Sequence, residues 1–374
     1  MAEVAKMIKI DSIEVYKLDL PLKEGRYNWS HGNSVSVFDS TIVKIKTNKN
    51  IIGLGEICTL GPSYLPAYSE GVRTGIKKIG KKLIGLDPTN LSKVNSVMDL
   101  NLKGHNYVKS PIDMACWDIL GQYTKQPLWK FFGGKFGKKV KLYRAISQEK
   151  PEAMVRKVKK YKKEGYTKFQ LKVGGLPNED IKRIKQIRSI LDDTDILVAD
   201  ANTGWLMHDA LRVINATEKL DIYYEQPCIS YEESLAVRTK TNRPFILDEN
   251  IDSINSFIRA FKDNAMDIIN IKISKLGGLT KSKLLRDLCV QLGIAMTIED
   301  SWGGDIATAA ISHLAHSTPE KYLFSSTDFN SYNALNYSKG SPKRFNGCFS
   351  ASDEPGLGIT LKNKIINRPE FTIK

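Results

Sequence analysis

The stretch YTKFQLKVGG, residues 166–175, is a short apolar run that ends on an amine, Lys172, just before a Gly-Gly break. EDIKRIKQIRSILD (179–192) follows, with apolar residues at helical spacing, and then a second apolar run, ILVADAN (196–202). Strand, glycine break, helix and strand make a βαβ unit. Its near-continuous apolar strands belong to a parallel sheet covered on its faces by helices.

Outward from this unit the pattern recurs at a nearly constant interval. VKLYRAI (140–146), FQLKVG (169–174), ILVADAN, IYYEQP (222–227), FILDEN (245–250), INIKISK (269–275), AMTIED (295–300) and YLFSST (322–327) make eight strands. Amphipathic stretches such as PEAMVRKVKKYKKEG (151–165), SINSFIRAFKDNA (253–265) and GLTKSKLLRDLCVQLG (278–293) lie between them. Eight such strands predict an α/β fold of the closed (β/α) barrel type. The competing open doubly wound sheet lacks a G-x-G-x-x-G at its first helix.

The chain before the barrel reads differently. KIDSIEVYKLDLPL (9–22) and STIVKIKTNKNIIGLGEI (40–57) alternate apolar and polar residues around an NKN turn, which predicts an antiparallel meander. Helical patterns follow in EGVRTGIKKIGKKLIG (70–85) and SPIDMACWDILGQYTKQPLWKFFGG (110–134). The organisation expected is an α+β domain over 1–135, the barrel over 136–350, and a C-terminal segment, 351–374, whose PGLGITLKN (355–363) returns to the first domain. A chain of 374 residues exceeds the usual single core, in keeping with this division.

No apolar run approaches the length needed to span a bilayer, and MAEVAKMIKI lacks the pattern of a signal peptide, so a cytoplasmic location is expected. Five scattered cysteines with no C-x-x-C pair predict reduced thiols. The net charge of +15 is spread through many helices without a nucleic-acid-binding motif. It reads as surface composition, with a secondary role in drawing a carboxylate substrate inward.

Side chains at the C-terminal ends of barrel strands converge on one mouth. The second to sixth strands end with Lys172, Asp200, Glu225, Asp248 and Lys272. A single acid at a strand end often only caps the next helix. Three acids on successive strands between two lysines instead call for a cation, and oxygen donors without a nearby histidine point to Mg²⁺. Asn202, two residues past Asp200, faces the same mouth and is placed to orient a ligand. Glu249 alternates away from the mouth, with a salt bridge to a barrel lysine as its alternative.

With these residues in view, the sequence resembles the enolase superfamily, in its mandelate racemase and muconate lactonizing enzyme branch. The resemblance covers the whole chain and implies an N-terminal capping domain, Asp200, Glu225 and Asp248 as Mg²⁺ ligands, and Lys172 and Lys272 as the acid/base pair; the superfamily's use of a Lys or His base with Mg²⁺ is a known example of pKa tuning. Two departures narrow it. Gln170 stands where the second-strand motif usually has its first lysine, and AMTIED lacks the seventh-strand histidine of the mandelate racemases. The combination LPLKEGRYNWSHGN (20–33), GHNYVKSPIDMACWDILGQ (104–122), YRAISQE (143–149), KFQLKVGG, VADANTGW (198–205) and IEDSWGGDI (298–306) is similar to the cis-3-hydroxy-L-proline dehydratases, which share the Gln-x-Lys variant. Part of it is also similar to the 4-hydroxyproline betaine epimerases.

The resemblance further implies a small cyclic amino acid as substrate, assembly into a homo-oligomer, and no nucleic-acid or membrane partner. Gln170 joins the expected substrate contacts, and Lys275 is expected behind the first line of residues. Tyr27, Trp29 and Tyr64 are candidates to close over the substrate ring from the capping domain. Trp302 and Asp328 follow the last two strands, with Asp328 expected to meet the substrate's ammonium. Lys172 is expected to lose its proton readily beside a cation and a second ammonium.

Overall fold

The computed structural model describes residues 7–362, 366 and 368–374. The first six residues of MAEVAKMIKI and Asn363 of the 355–363 strip lie outside them. The alternating segments form an antiparallel meander of β1 (Ile10–Pro21), β2 (Val37–Thr47) and β3 (Ile52–Cys58). Asn50 adopts a positive φ of 59° in the turn joining β2 to β3, a conformation that asparagine tolerates.

One face of this sheet, with Ile13, Val15, Val43 and Ile45, packs on α1 (Ser69–Ile79), α2 (Leu91–Asn101) and α3 (Asn106–Tyr123) through Val72, Ile76, Val94 and Ile112. Leu18, Leu20, Phe38 and Ile42 belong instead to the core of the barrel. The N-terminal domain is therefore fastened to the barrel by buried apolar surface, the dominant favourable contribution to such a junction.

The eight strands found in the sequence all form. They are β4 (Tyr143–Ile146), β5 (Lys168–Lys172), β6 (Ile196–Asp200), β7 (Tyr223–Glu225), β8 (Phe245–Leu247), β9 (Ile268–Lys272), β10 (Ala295–Glu299) and β11 (Leu323–Ser326). They lie side by side in chain order, every pair parallel, in a nearly closed barrel. The helices after them include α4 (Pro151–Lys163), α5 (Pro177–Arg188), α6 (Met207–Ala216), α7 (Tyr231–Arg238), α8 (Ile254–Lys262), α9 (Leu279–Leu292) and α10 (Asp305–His316).

Two of the apolar runs divide between different elements. In 140–146, Val140–Lys141 pairs antiparallel with Cys348–Phe349 beneath the barrel, and only Tyr143–Ile146 joins the barrel sheet. In 269–275 the strand stops at Lys272 and Ile273–Leu276 forms a helical turn, which Gly277 ends at φ 99°.

The chain finally leaves the barrel and returns to the first domain. The Leu357 amide donates to Asp118 of α3 at 2.8 Å, and β12 (Phe371–Ile373) pairs antiparallel with β1. Among the described residues all five cysteines are free and buried, and no helix is long and apolar enough to cross a membrane.

Candidate active site

At the C-terminal mouth of the barrel, the N-terminal domain closes over a small, tight cavity. Its walls bring together Lys172, Gln170, Asn202 and Lys272 from the barrel strands, Tyr27, Trp29 and Tyr64 from the N-terminal domain, and Trp302 from the loop after β10. The Gly-Gly break that follows Lys172 makes this mouth possible. Gly174 has φ 87°, and a Cβ there would stand 2.2 Å from the Ala201 carbonyl, so the turns after β5 and β6 can nest together only if position 174 lacks a side chain.

Parallel register explains why the charged residues meet. Lys172 is the Cα partner of Asp200, which in turn is the partner of Glu225. Lys172 donates to Asp200, while the Asn202 amide donates to the other Asp200 oxygen at 2.9 Å. Glu225 accepts from Gln170 at 3.1 Å and from Asn270 at 2.7 Å. Asp248 accepts from Lys272, from Lys275 at 2.9 Å and from the Tyr64 hydroxyl at 3.1 Å.

These pairings set the electrostatics. Burial disfavours the charged form of Glu225, and the carboxylates of Asp200 and Asp248 add to it, holding its pKa well above the usual range. Burial acts in the same direction on Asp248, but Lys272 and Lys275 outweigh it and hold that carboxyl well below its ordinary value. Burial works against the charge on Lys172 too, yet Asp200, Tyr27 and Glu225 prevail and hold the amine well above the lysine range. Taken alone, the protein's own groups favour the protonated form of Lys172; the lowering expected of it depends on a cation's charge beside Asp200.

Among the described residues no three acids converge on one point, because Asp200 and Asp248 are each drawn to lysines. The donor set nonetheless fits a hard divalent cation. It offers carboxylate oxygen on three neighbouring strands, and the repulsion that raises Glu225 is what a cation would relieve. Beside it, the buried Asn202 Oδ1 and Glu249 Oε2 have no hydrogen-bond partner among the described residues, leaving acceptor capacity for an ion's water shell.

Two expectations need correcting, the placement of Asp328 and the alternative ion pair of Glu249. Asp328 does not face the cavity: it accepts from Tyr166 at 3.1 Å and lies 3.6 Å from Arg344, so its charge is already engaged elsewhere. Among the described residues Glu249 makes no ion pair with a lysine, and it accepts from the Asn202 side-chain amide at 3.0 Å; burial and the repulsion of Asp248 push it up to about 8. Lys275 is buried against Asp248 and orients that carboxylate.

The sequence reading passed over Glu299 and Tyr143. Glu299 is the register partner of Lys272, lies 3.6 Å from its amine, accepts from the Tyr143 hydroxyl and lines the cavity. Its signal was present, since it ends β10 as Asp200 and Glu225 end their strands. Tyr143 opens β4 and gave none. Asp300, also on the wall, accepts from Ser274 and is pushed up to about 7 by burial.

Residues 153–365 match the enolase C-terminal domain-like family, and residues 30–133 match the mandelate racemase / muconate lactonizing enzyme N-terminal domain. The chain belongs to the enolase superfamily. Within that superfamily it is 56% identical over 362 residues to the cis-3-hydroxy-L-proline dehydratase of Roseibium aggregatum, covering 97% of this chain and 99% of that one. It is 30% identical to a hydrophobic dipeptide epimerase of Enterococcus faecalis over 317 residues, covering 82% and 87%. The crystal structure of a mandelate racemase/muconate lactonizing enzyme from Roseovarius nubinhibens ISM superposes with a TM-score of 0.95 at 38% identity over 98% of each chain. A superfamily member from the same organism, complexed with magnesium, superposes with a TM-score of 0.92 at 36% identity over 98% of this chain and all of that one.

Proposed function

We propose that this enzyme is a Mg²⁺-dependent hydro-lyase that converts cis-3-hydroxy-L-proline to Δ1-pyrroline-2-carboxylate. The observation that carries the reading is the 56% identity to the Roseibium aggregatum dehydratase across almost the whole of both chains. The two lysines on opposite sides of the barrel mouth, Lys172 on β5 and Lys272 on β9, support it.

Asp200, Glu225 and Asp248 would hold the ion. Bound there, Mg²⁺ supplies positive charge that stabilises the electron density developing on a substrate carboxylate. In cis-3-hydroxy-L-proline the hydroxyl shares a ring face with the carboxylate, so the α-hydrogen lies on the opposite face and elimination is anti. Such a reaction needs a base on one face and an acid on the other. Lys172 on β5 first takes the α-proton, leaving the electron pair delocalised into the substrate carboxylate; that pair then forms the Cα–Cβ double bond as the C–O bond breaks and Lys272 on β9 protonates the departing hydroxyl, releasing water. The enamine then tautomerises to the pyrroline.

Removal of the same α-proton also begins a 2-epimerisation, the reaction class named for several more distant relatives. The test is to incubate the protein and Mg²⁺ with cis-3-hydroxy-L-proline in D₂O and follow pyrroline and α-deuteration by NMR. Pyrroline formation is expected; α-exchange without pyrroline would favour epimerisation, and neither would refute the substrate.

A further inference from the structure

Helix α10 begins at the substrate wall and cannot cap itself. Its N-cap is Gly304, and a Cβ there would stand 2.4 Å from the Tyr337 ring. Asp305, the first helical residue, has its carboxylate committed to the Tyr337 and Ser338 amides, each at 2.8 Å. The first amides of the helix nevertheless require acceptors, because no preceding turn supplies them.

The acceptor comes from the other domain. Glu56 on β3 is fully buried and accepts from the Gly304 amide at 2.9 Å and the Ala307 amide at 2.8 Å. Its remaining capacity is taken by the Ser40 hydroxyl at 2.8 Å and the Tyr337 hydroxyl at 2.6 Å. Two oxygens thus take four donors, which is as complete as a carboxylate's satisfaction usually becomes. The amides of Gly304 and Ala307 are the pair that a capping side chain would engage within one chain segment, and a negative charge at this helix end is also favoured by the helix dipole.

Ser301 and Trp302, separated from Gly304 only by Gly303, both lie on the cavity wall. Trp302 stacks on Phe38 of β2 with ring centroids 4.4 Å apart and donates its indole N–H to Asn333 at 3.1 Å. The loop that carries it is therefore fixed at one end by β10 and at the other by a carboxylate of the N-terminal domain.

We propose that Glu56 is a positioning residue. Through the Gly304 and Ala307 amides it lets the N-terminal domain set the 301–304 loop, and hence the Trp302 wall against which the substrate is held. Its role is substrate placement across a domain boundary, without contact with the reacting atoms.

The test compares Glu56→Ala and Glu56→Gln with Asp118→Asn in the full chain. Asp118 is an equally buried carboxylate that accepts from the Leu54 and Leu357 amides and stands outside the cavity wall. Hydrogen exchange over residues 301–308 should quicken about tenfold or more in Glu56→Ala, less in Glu56→Gln, which keeps one acceptor oxygen, and not in Asp118→Asn. KM should rise more than kcat falls in the Glu56 variants alone, even where Asp118→Asn lowers the melting temperature as much.

Unchanged exchange over 301–308 in either folded Glu56 variant would overturn the assignment, as would identical kinetic effects from Asp118→Asn. Should Glu56→Ala fail to fold, the Glu56→Gln comparison decides. The kinetic arm rests on the substrate proposed above, whereas the exchange arm does not. Wild-type protein inactive on cis-3-hydroxy-L-proline would therefore defeat that reading and leave the exchange contrast to decide the role of Glu56.

Discussion

Replacing Lys272 with alanine should separate removal of the α-proton from departure of the hydroxyl. Lys272 pairs with Asp248, donates to the Tyr64 hydroxyl and lies 3.6 Å from Glu299. Outright loss of one partner in a buried ion pair costs about 3–5 kcal/mol. Here Asp248 retains Lys275 at 2.9 Å and Tyr64 at 3.1 Å, and Glu299 retains Tyr143, so the expected loss of stability is about 1–3 kcal/mol. The fold should survive. Loss of a positioned general acid slows turnover by about 10²–10⁴-fold, corresponding to about 3–5 kcal/mol of barrier. In D₂O with Mg²⁺, Lys272→Ala should still exchange the α-proton of cis-3-hydroxy-L-proline while pyrroline formation falls by that factor. Pyrroline at the wild-type rate would refute the reasoning. Exchange lost together with elimination in a folded variant would make Lys272 the base instead.

The complementary substitution, Lys172→Ala, should abolish both α-exchange and pyrroline formation; NMR of the same reaction checks it, and surviving exchange would remove Lys172 from the base role. Treatment with EDTA should eliminate turnover and added Mg²⁺ restore it, with the melting temperature rising as Mg²⁺ is titrated in, since an ion that binds only the folded chain stabilises it by mass action. His313 offers a pH prediction away from the site. Buried between the Trp129 amide and the Leu357 carbonyl, its imidazole is pushed by burial from 6.5 down to about 4. An unfolded histidine binds its proton first as pH falls, so the stability this residue contributes is complete above about 6.5 and is lost as pH drops through about 4, in all about 3 kcal/mol. Melting curves from pH 7 to pH 4 should show this slope, and His313→Asn should flatten it.

The barrel was legible because a buried parallel strand writes itself as a short apolar run, and the recurrence of eight such runs leaves few other folds. The ends of those runs were less legible. Tyr143–Ile146 and Ile268–Lys272 stop where backbone partners stop, and the pairing of Val140–Lys141 with Cys348–Phe349 depends on a segment some 200 residues away. The acids and lysines were found because strand ends share one mouth. Glu299 obeys the same rule at the end of β10, but its pairing with Lys272 shows only in the register of the folded sheet. Asp328 failed for the opposite reason: its neighbours Tyr166 and Arg344 come from distant segments, and nothing local reveals which way its carboxylate turns. Glu56 lay beyond sequence reasoning altogether, since only tertiary structure brings it to a helix more than 240 positions away.

The pairing of β12 with β1 has a bearing on how the polypeptide is made. During synthesis β1 emerges before the barrel and β12 after it, so this edge of the N-terminal sheet waits unpaired until the whole barrel and β12 have been made. An open edge invites pairing with other chains. Nascent protein is therefore most exposed to aggregation before β12 docks, and a change that disturbs Phe371–Ile373 would prolong that interval although the strand takes no part in the cavity wall.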